Sequence, residues 1–270
     1  MTASQTPGPL GEPPAGLRWW TTLRSLGERP ADALFDTPAK PHKWGFGAFL
    51  ISFGAFLLVS VTLSALFRPA PGARIGPLEL VAVLSLPTLT GALVAVLITV
   101  VRGNGPLADL RLRWNWRHAS IGLAIGAIAL VPTLYATRLW AAWVGNDQAT
   151  SAVGKVLDGV SMSPVLAGIV FLHLWLVGPL CEEIVYRGLL WGAVERLGWG
   201  RWAAFVLSTM VFAVAHFEPE RTPLLLFIAI PMGLARMYTG GLLASIVVHQ
   251  VNNLLPALGM LLIMTGVIPA

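Results

Sequence analysis

The 270-residue chain has a single cysteine, Cys181, and only 11% charged residues, against roughly 25% in ordinary soluble domains. One cysteine excludes a disulfide-stapled secreted module. So few charges cannot coat a water-soluble globule, and with 56% apolar residues and a mean hydropathy of +0.73 they exclude a disordered chain as well. The sequence also lacks an internal repeat and a glycine-rich phosphate loop. No signal-peptide core precedes the first apolar run, so that run is expected to serve as an uncleaved targeting signal. What remains is an all-α, polytopic helical bundle in a membrane, with the lipid bilayer as its partner. The net charge of +5 would point to nucleic acid in a soluble protein. Here it belongs to basic loops held against anionic lipid, and no nucleic-acid partner is expected.

Residues 1–43 hold seven of the 20 prolines and nine formal charges, and read as a cytosolic tail. Within it Leu17, Trp19, Trp20, Leu23 and Leu26, flanked by Arg18 and Arg24, fit either a short surface helix or a flexible segment. Four runs free of formal charge follow, 44–67, 80–101, 118–137 and 159–181. Each is near the ~20 residues that cross a ~30 Å bilayer core. Beyond them come 183–198, 202–217, 222–235 and the uncharged 237–270, which Pro256 is expected to kink or divide. The total is seven or eight spans. A Gly178-Pro179 step predicts a bend rather than one continuous helix over 159–198, whose length of about 60 Å would overshoot the bilayer.

Basic residues set an orientation. With the tail inside, the inner segments up to residue 118 hold nine Lys and Arg, and the outer ones hold four, Arg68, Arg74, Arg138 and Lys155. That asymmetry predicts a cell-membrane protein with a cytosolic N-terminus. The stretch from Asp109 to Arg117, basic with interleaved tryptophans, reads as an interfacial anchor, and Gly122 with Gly126 as a small-residue packing face.

After residue 178, polar side chains enter apolar helices at regular spacing. Glu183 and Arg187 stand four apart and share a helix face, where each can neutralise the other. Glu182 points about 100° away and lacks that partner, the condition for a general base. A structural ion pair beside a solvated carboxylate would give the same pattern. Phe212 and His216 close the 202–217 run, and His249 and Asn253 again stand four apart. His173, a lone histidine on an apolar helix, is expected to be a core residue. Folded as an antiparallel hairpin through Leu197-Gly198-Trp199-Gly200, the runs 183–198 and 202–217 would bring Glu182 and His216 to the same end.

In this order, Glu182-Glu183-x-x-x-Arg187, Phe212-x-x-x-His216 and His249-x-x-x-Asn253 resemble the three motifs of the CPBP family of intramembrane proteases, also called the Abi or CAAX protease family. The resemblance covers about 162–262. It implies a catalytic transmembrane core at 161–270, preceded by membrane helices at 44–160, and an endopeptidase acting on a peptide or protein substrate that is membrane-associated or CAAX-like at its C-terminus. Glu182 would with His216 activate a water, His249 and Asn253 would stabilise the oxyanion, and Glu183 and Arg187 would support them. The family is described both as metalloproteases and as metal-free glutamate enzymes. Glu182, His216 and His249 would be a His₂Glu zinc set, but no His-Glu-x-x-His helix is present, and the metal-free route is the expectation.

Three rivals use the same residues differently. A non-proteolytic scaffold or immunity protein would keep the motifs as a polar core, although buried charge that does no chemistry is costly to retain. A small transporter would also place polar groups at the midplane, but repeat symmetry is missing. A cysteine protease built on Cys181 would ignore the spacing pattern.

Overall fold

The computed structural model describes residues 41–70 and 74–268. The segment around Trp19 and Trp20 lies outside them. The described residues form helices without any strand: α1 (Phe46–Leu66), α2 (Pro77–Arg102), α3 (Trp116–Val144), α4 (Pro164–Arg196), α5 (Gly200–Val214), α6 (Thr222–Thr239) and α7 (Leu242–Met264). Six are long and apolar enough to cross a bilayer, and α5 is shorter, at about 22 Å. The architecture is a polytopic bundle of about seven spans, the lower of the two expected counts.

The ends of this bundle differ. At one end Lys43 donates its backbone N–H to the Arg102 carbonyl at 2.8 Å, tying the start of α1 to the end of α2. The Trp44 indole donates to Asp109 at 2.8 Å, and its ring lies so close to Gly192 that a Cβ there would sit 2.6 Å away. Trp114 and Trp116 are exposed at this end, as an anchor requires. Arg111 in the same stretch instead turns inward, pairing with Glu195 at 3.0 Å while its carbonyl accepts the Leu242 N–H at 3.1 Å. The opposite end carries a short helix, Ala152–Leu157, and the loop after α5, joined where the Ala152 N–H donates to Glu218 at 2.7 Å.

Gly122 and Gly126 form the packing face that their spacing predicts. A Cβ on Gly122 would fall 2.6 Å from the Ala244 carbonyl oxygen, and one on Gly126 would fall 2.9 Å from Val251 Cβ. These two glycines let α3 settle against α7 and so fix the helix that carries His249.

Two expectations are corrected. Gly178-Pro179 does not break the chain, because α4 runs unbroken for 33 residues. A π-helical turn, His173–Val177, precedes the proline, and Gly178 donates to the His173 carbonyl five residues back. In that register the missing proline N–H strands the Leu174 carbonyl, and the Asn253 amide fills the gap at 3.2 Å. Gln250 likewise donates to the Leu176 carbonyl at 3.3 Å. Nor does Pro256 divide the last segment, since it lies inside α7. The division falls at Gly240-Gly241, where Gly240 takes a left-handed φ of 69° that ends α6.

Candidate active site

A second π-helical turn, Ile184–Leu190, follows Glu183 on α4. Two π turns flank the six-residue α segment Gly178–Glu183, and such bulges are common where a helix must present functional groups. From that segment the paired glutamates face different surroundings.

Glu183 is fully buried. Its Oε1 accepts from Arg187 at 3.0 Å and from His249 Nδ1 at 3.0 Å, and its Oε2 accepts from the Ser245 hydroxyl. Arg187 is also fully buried, donating to the Ala229 carbonyl and lying over the Phe212 ring at 4.5 Å. The charges therefore cancel inside a closed network, the condition under which a buried ion pair is tolerated. Ser245 stands one turn before His249 on α7. Its stripe with His249 and Asn253 was a signal in the sequence that the motif reading left out.

Glu182 keeps 27% of its side chain exposed and faces His249 Nε2 at 3.6 Å. It lines a cavity of about 260 Å³ together with His216, Cys181 and Tyr186. The hairpin of α4 and α5 does what its lengths predict: Tyr186 meets Phe212 edge to face at 5.4 Å, and Glu182 and His216 reach one cavity. His216 Nδ1 lies 2.7 Å from the Phe212 carbonyl. With its proton given to that carbonyl, Nε2 keeps a lone pair. The Phe212 ring stands edge-on to both His216 at 4.7 Å and His249 at 5.6 Å, separating the two imidazoles.

The remaining sequence-marked residues are placed as follows. Asn253 lies one turn beyond His249 with its amide on the Leu174 carbonyl and its Oδ1 accepting from Asn252 at 3.3 Å. His173 is buried, with Nε2 3.5 Å from the Thr88 hydroxyl. Cys181 is buried, and burial beside Glu182 gives no thiolate-stabilising cation. Among the described residues no three His, Cys, Asp or Glu side chains converge as a metal-holding set. Glu182, His216 and His249 therefore do not fit a His₂Glu zinc site in this arrangement, and the steps given below use the chain's own side chains.

Much of the cavity wall comes from elsewhere. Ser52, Phe53 and Phe56 of α1 and Leu84, Pro87 and Thr88 of α2 face Glu182 across it.

Residues 164–255 match the family described as Type II CAAX prenyl endopeptidase, Rce1-like. The stretch starts with α4 and ends beyond Asn253, so it contains all seven motif residues. This stretch, about a third of the chain, is similar to the CPBP family that the three motifs resemble. Among relatives, the membrane-embedded CAAX protease MroQ of Staphylococcus aureus is 25% identical over 175 residues, spanning 61% of this chain and 68% of its own. No solved structure matches the chain. The matched stretch supplies the polar groups, while helices outside it supply the facing wall.

Proposed function

We propose that the cavity is the active site of an intramembrane endopeptidase that uses water as its nucleophile. The observation that carries this reading is the pairing of Glu182 and His216 on one cavity wall, with His249 3.6 Å behind Glu182. Glu182 takes a proton from water as the water oxygen attacks the scissile carbonyl carbon. It returns that proton to the amide nitrogen as the C–N bond breaks. His216 Nε2 accepts the other water hydrogen and orients the attack. The family resemblance assigns the oxyanion to His249 and Asn253, which stand behind the cavity wall, each with one donor already held, by Glu183 and by the Leu174 carbonyl. Glu183 and Arg187 hold His249 and the α4 turn in register.

The substrate is a peptide or protein segment at the membrane, and a CAAX-like C-terminus is the class that the family description and the MroQ name support. The end of the bundle bearing Arg102, Arg111, Arg113, Arg117, Arg196 and Arg201 is assigned to the cytosol of a cell-membrane protein by the positive-inside rule. That orientation keeps the N-terminus cytosolic and turns the Ala152 and Glu218 end of the cavity to the opposite leaflet.

The test is hydrolysis of peptides by the full chain purified in detergent, followed for internal apolar and CAAX-like sequences in parallel. Glu182→Ala and His216→Ala are expected to abolish turnover. Turnover that survives either substitution would overturn the assignment of Glu182 and His216, and a parent chain that hydrolyses none of the peptides would return the scaffold reading to first place.

A further inference from the structure

An endopeptidase site needs a hydrogen-bond donor aimed at the developing oxyanion, and the cavity wall is short of them. Its serine and threonine hydroxyls are committed to backbone carbonyls: Ser52 to Gly91 at 2.7 Å, Ser60 to Phe56 at 2.9 Å and Thr88 to Ser85 at 3.0 Å. Glu182 and His216 act as acceptors in the attack. His249 and Asn253 do not line the cavity, and each spends a donor behind it.

Tyr186 is different. It lines the cavity one helical turn beyond Glu182, on the same face of α4. Only 8% of the residue is exposed, and its ring is fixed between Phe212 and Phe49 at centroid distances of 5.4 and 6.2 Å. Among the described residues nothing hydrogen-bonds its hydroxyl, yet the oxygen is not sealed in the core. A buried phenol normally finds a partner, because leaving it without one forfeits the hydrogen bond that water would have given it. The open space available to it is the cavity, so its partner is whatever occupies that cavity.

We propose that Tyr186 is a further catalytic residue, whose O–H donates to the scissile carbonyl oxygen as that oxygen becomes anionic. This rests on the endopeptidase reading. The rigid aromatic packing holds the donor in place before substrate arrives, which is what makes such a donor effective.

The test is Tyr186→Phe in the full chain, which keeps the ring packing and removes one oxygen. The expected result is unchanged thermal unfolding, KM within about twofold of the parent and kcat lower by about 10²–10³-fold. A peptide phosphinate, mimicking the tetrahedral anion, should lose affinity by a similar factor. Binding of the substrate peptide to Glu182→Gln should not change when Tyr186→Phe is added. Unaltered kcat, phosphinate binding that is absent or ignores the substitution, or equal weakening of phosphinate and substrate would each overturn the assignment. Failure of the endopeptidase reading looks different, since the parent chain would then hydrolyse no peptide while the two affinities still report on Tyr186.

Discussion

Glu183 is fully buried and held by Arg187, His249 and Ser245, whereas Glu182 borders a cavity and, among the described residues, pairs with His249 at 3.6 Å. The two residues share a peptide bond, so the difference is made entirely by the faces of α4. The closed side commits both Glu183 oxygens to partners and behaves as a structural clamp. The open side holds groups whose remaining partners must be water or substrate. Adjacent carboxylates thus separate stability from activity, and substitutions on the two sides should separate the same way.

The sharpest break is Glu182→Gln. Loss of a general base is expected to lower kcat/KM by up to about 10⁴-fold, while the melting temperature stays near the parent value because the one contact at stake, with His249 at 3.6 Å, lies beyond hydrogen-bond distance. Peptide hydrolysis and thermal unfolding of the same preparation check this. Arg187→Met should do the reverse first. It leaves a buried carboxylate without its cation, so unfolding free energy should fall by roughly 3–5 kcal/mol. Adding Glu183→Gln removes the charge and should recover much of that loss. If Arg187→Met unfolds at the parent temperature, the closed side is not the clamp described.

The sequence made one side of this comparison easier to read than the other. Glu182, Glu183, Arg187, His216 and His249 stand out because charge or imidazole inside apolar helices is costly and therefore informative. The apolar runs and their order followed from hydropathy for the same reason, while their number stayed at seven or eight because 159–181 and 183–198 were read apart and form one helix. Tyr186 carries no such signal, since its type is ordinary in membrane helices, and Ser245 is marked only by its four-residue spacing from His249. Phe53, Phe56 and Pro87 are invisible as cavity wall, because apolar residues facing a cavity and apolar residues facing lipid look alike in sequence. The Gly178-Pro179 step was misread because a π turn can absorb a proline when another helix supplies a donor, and that donor, Asn253, lies 79 residues away. Likewise Pro256 sits within α7 while Gly240, free to take a positive φ, makes the actual break.

Packing behind the site offers a smaller effect. Gly122→Ala would drive a methyl group to 2.6 Å from the Ala244 carbonyl, and a backbone oxygen cannot yield as a side chain does. Overpacking of this kind costs about 1–3 kcal/mol, and it should shift the α7 segment that presents Ser245 and His249, so activity should fall together with stability. Gly47→Ala on α1 meets nothing within 4 Å and should instead stabilise by about 0.5–1 kcal/mol through helix propensity. Thermal unfolding of the pair, with hydrolysis measured alongside, decides whether α3 holds the clamp in place.

The smallest effect concerns the open side. Phe217, next to His216 and on the cavity wall, has a φ of 55°, a left-handed conformation that a bulky L-residue adopts at a cost of roughly 1–2 kcal/mol. Its ring is 65% exposed and stacks on Phe53 at 6.4 Å, so the fold gains little from it in return. Replacing it by either glycine or alanine removes the stacking, and only glycine relieves the backbone. Phe217→Gly should therefore be more stable than Phe217→Ala by about 1 kcal/mol. Both variants should bind apolar peptides more weakly than the parent, since each strips the same aromatic surface from beside His216. Equal stability of the two variants would mean that the backbone there carries no strain. Equal peptide affinity in parent and variants would remove Phe217 from the substrate wall and leave the open side defined by Glu182, His216 and Tyr186 alone.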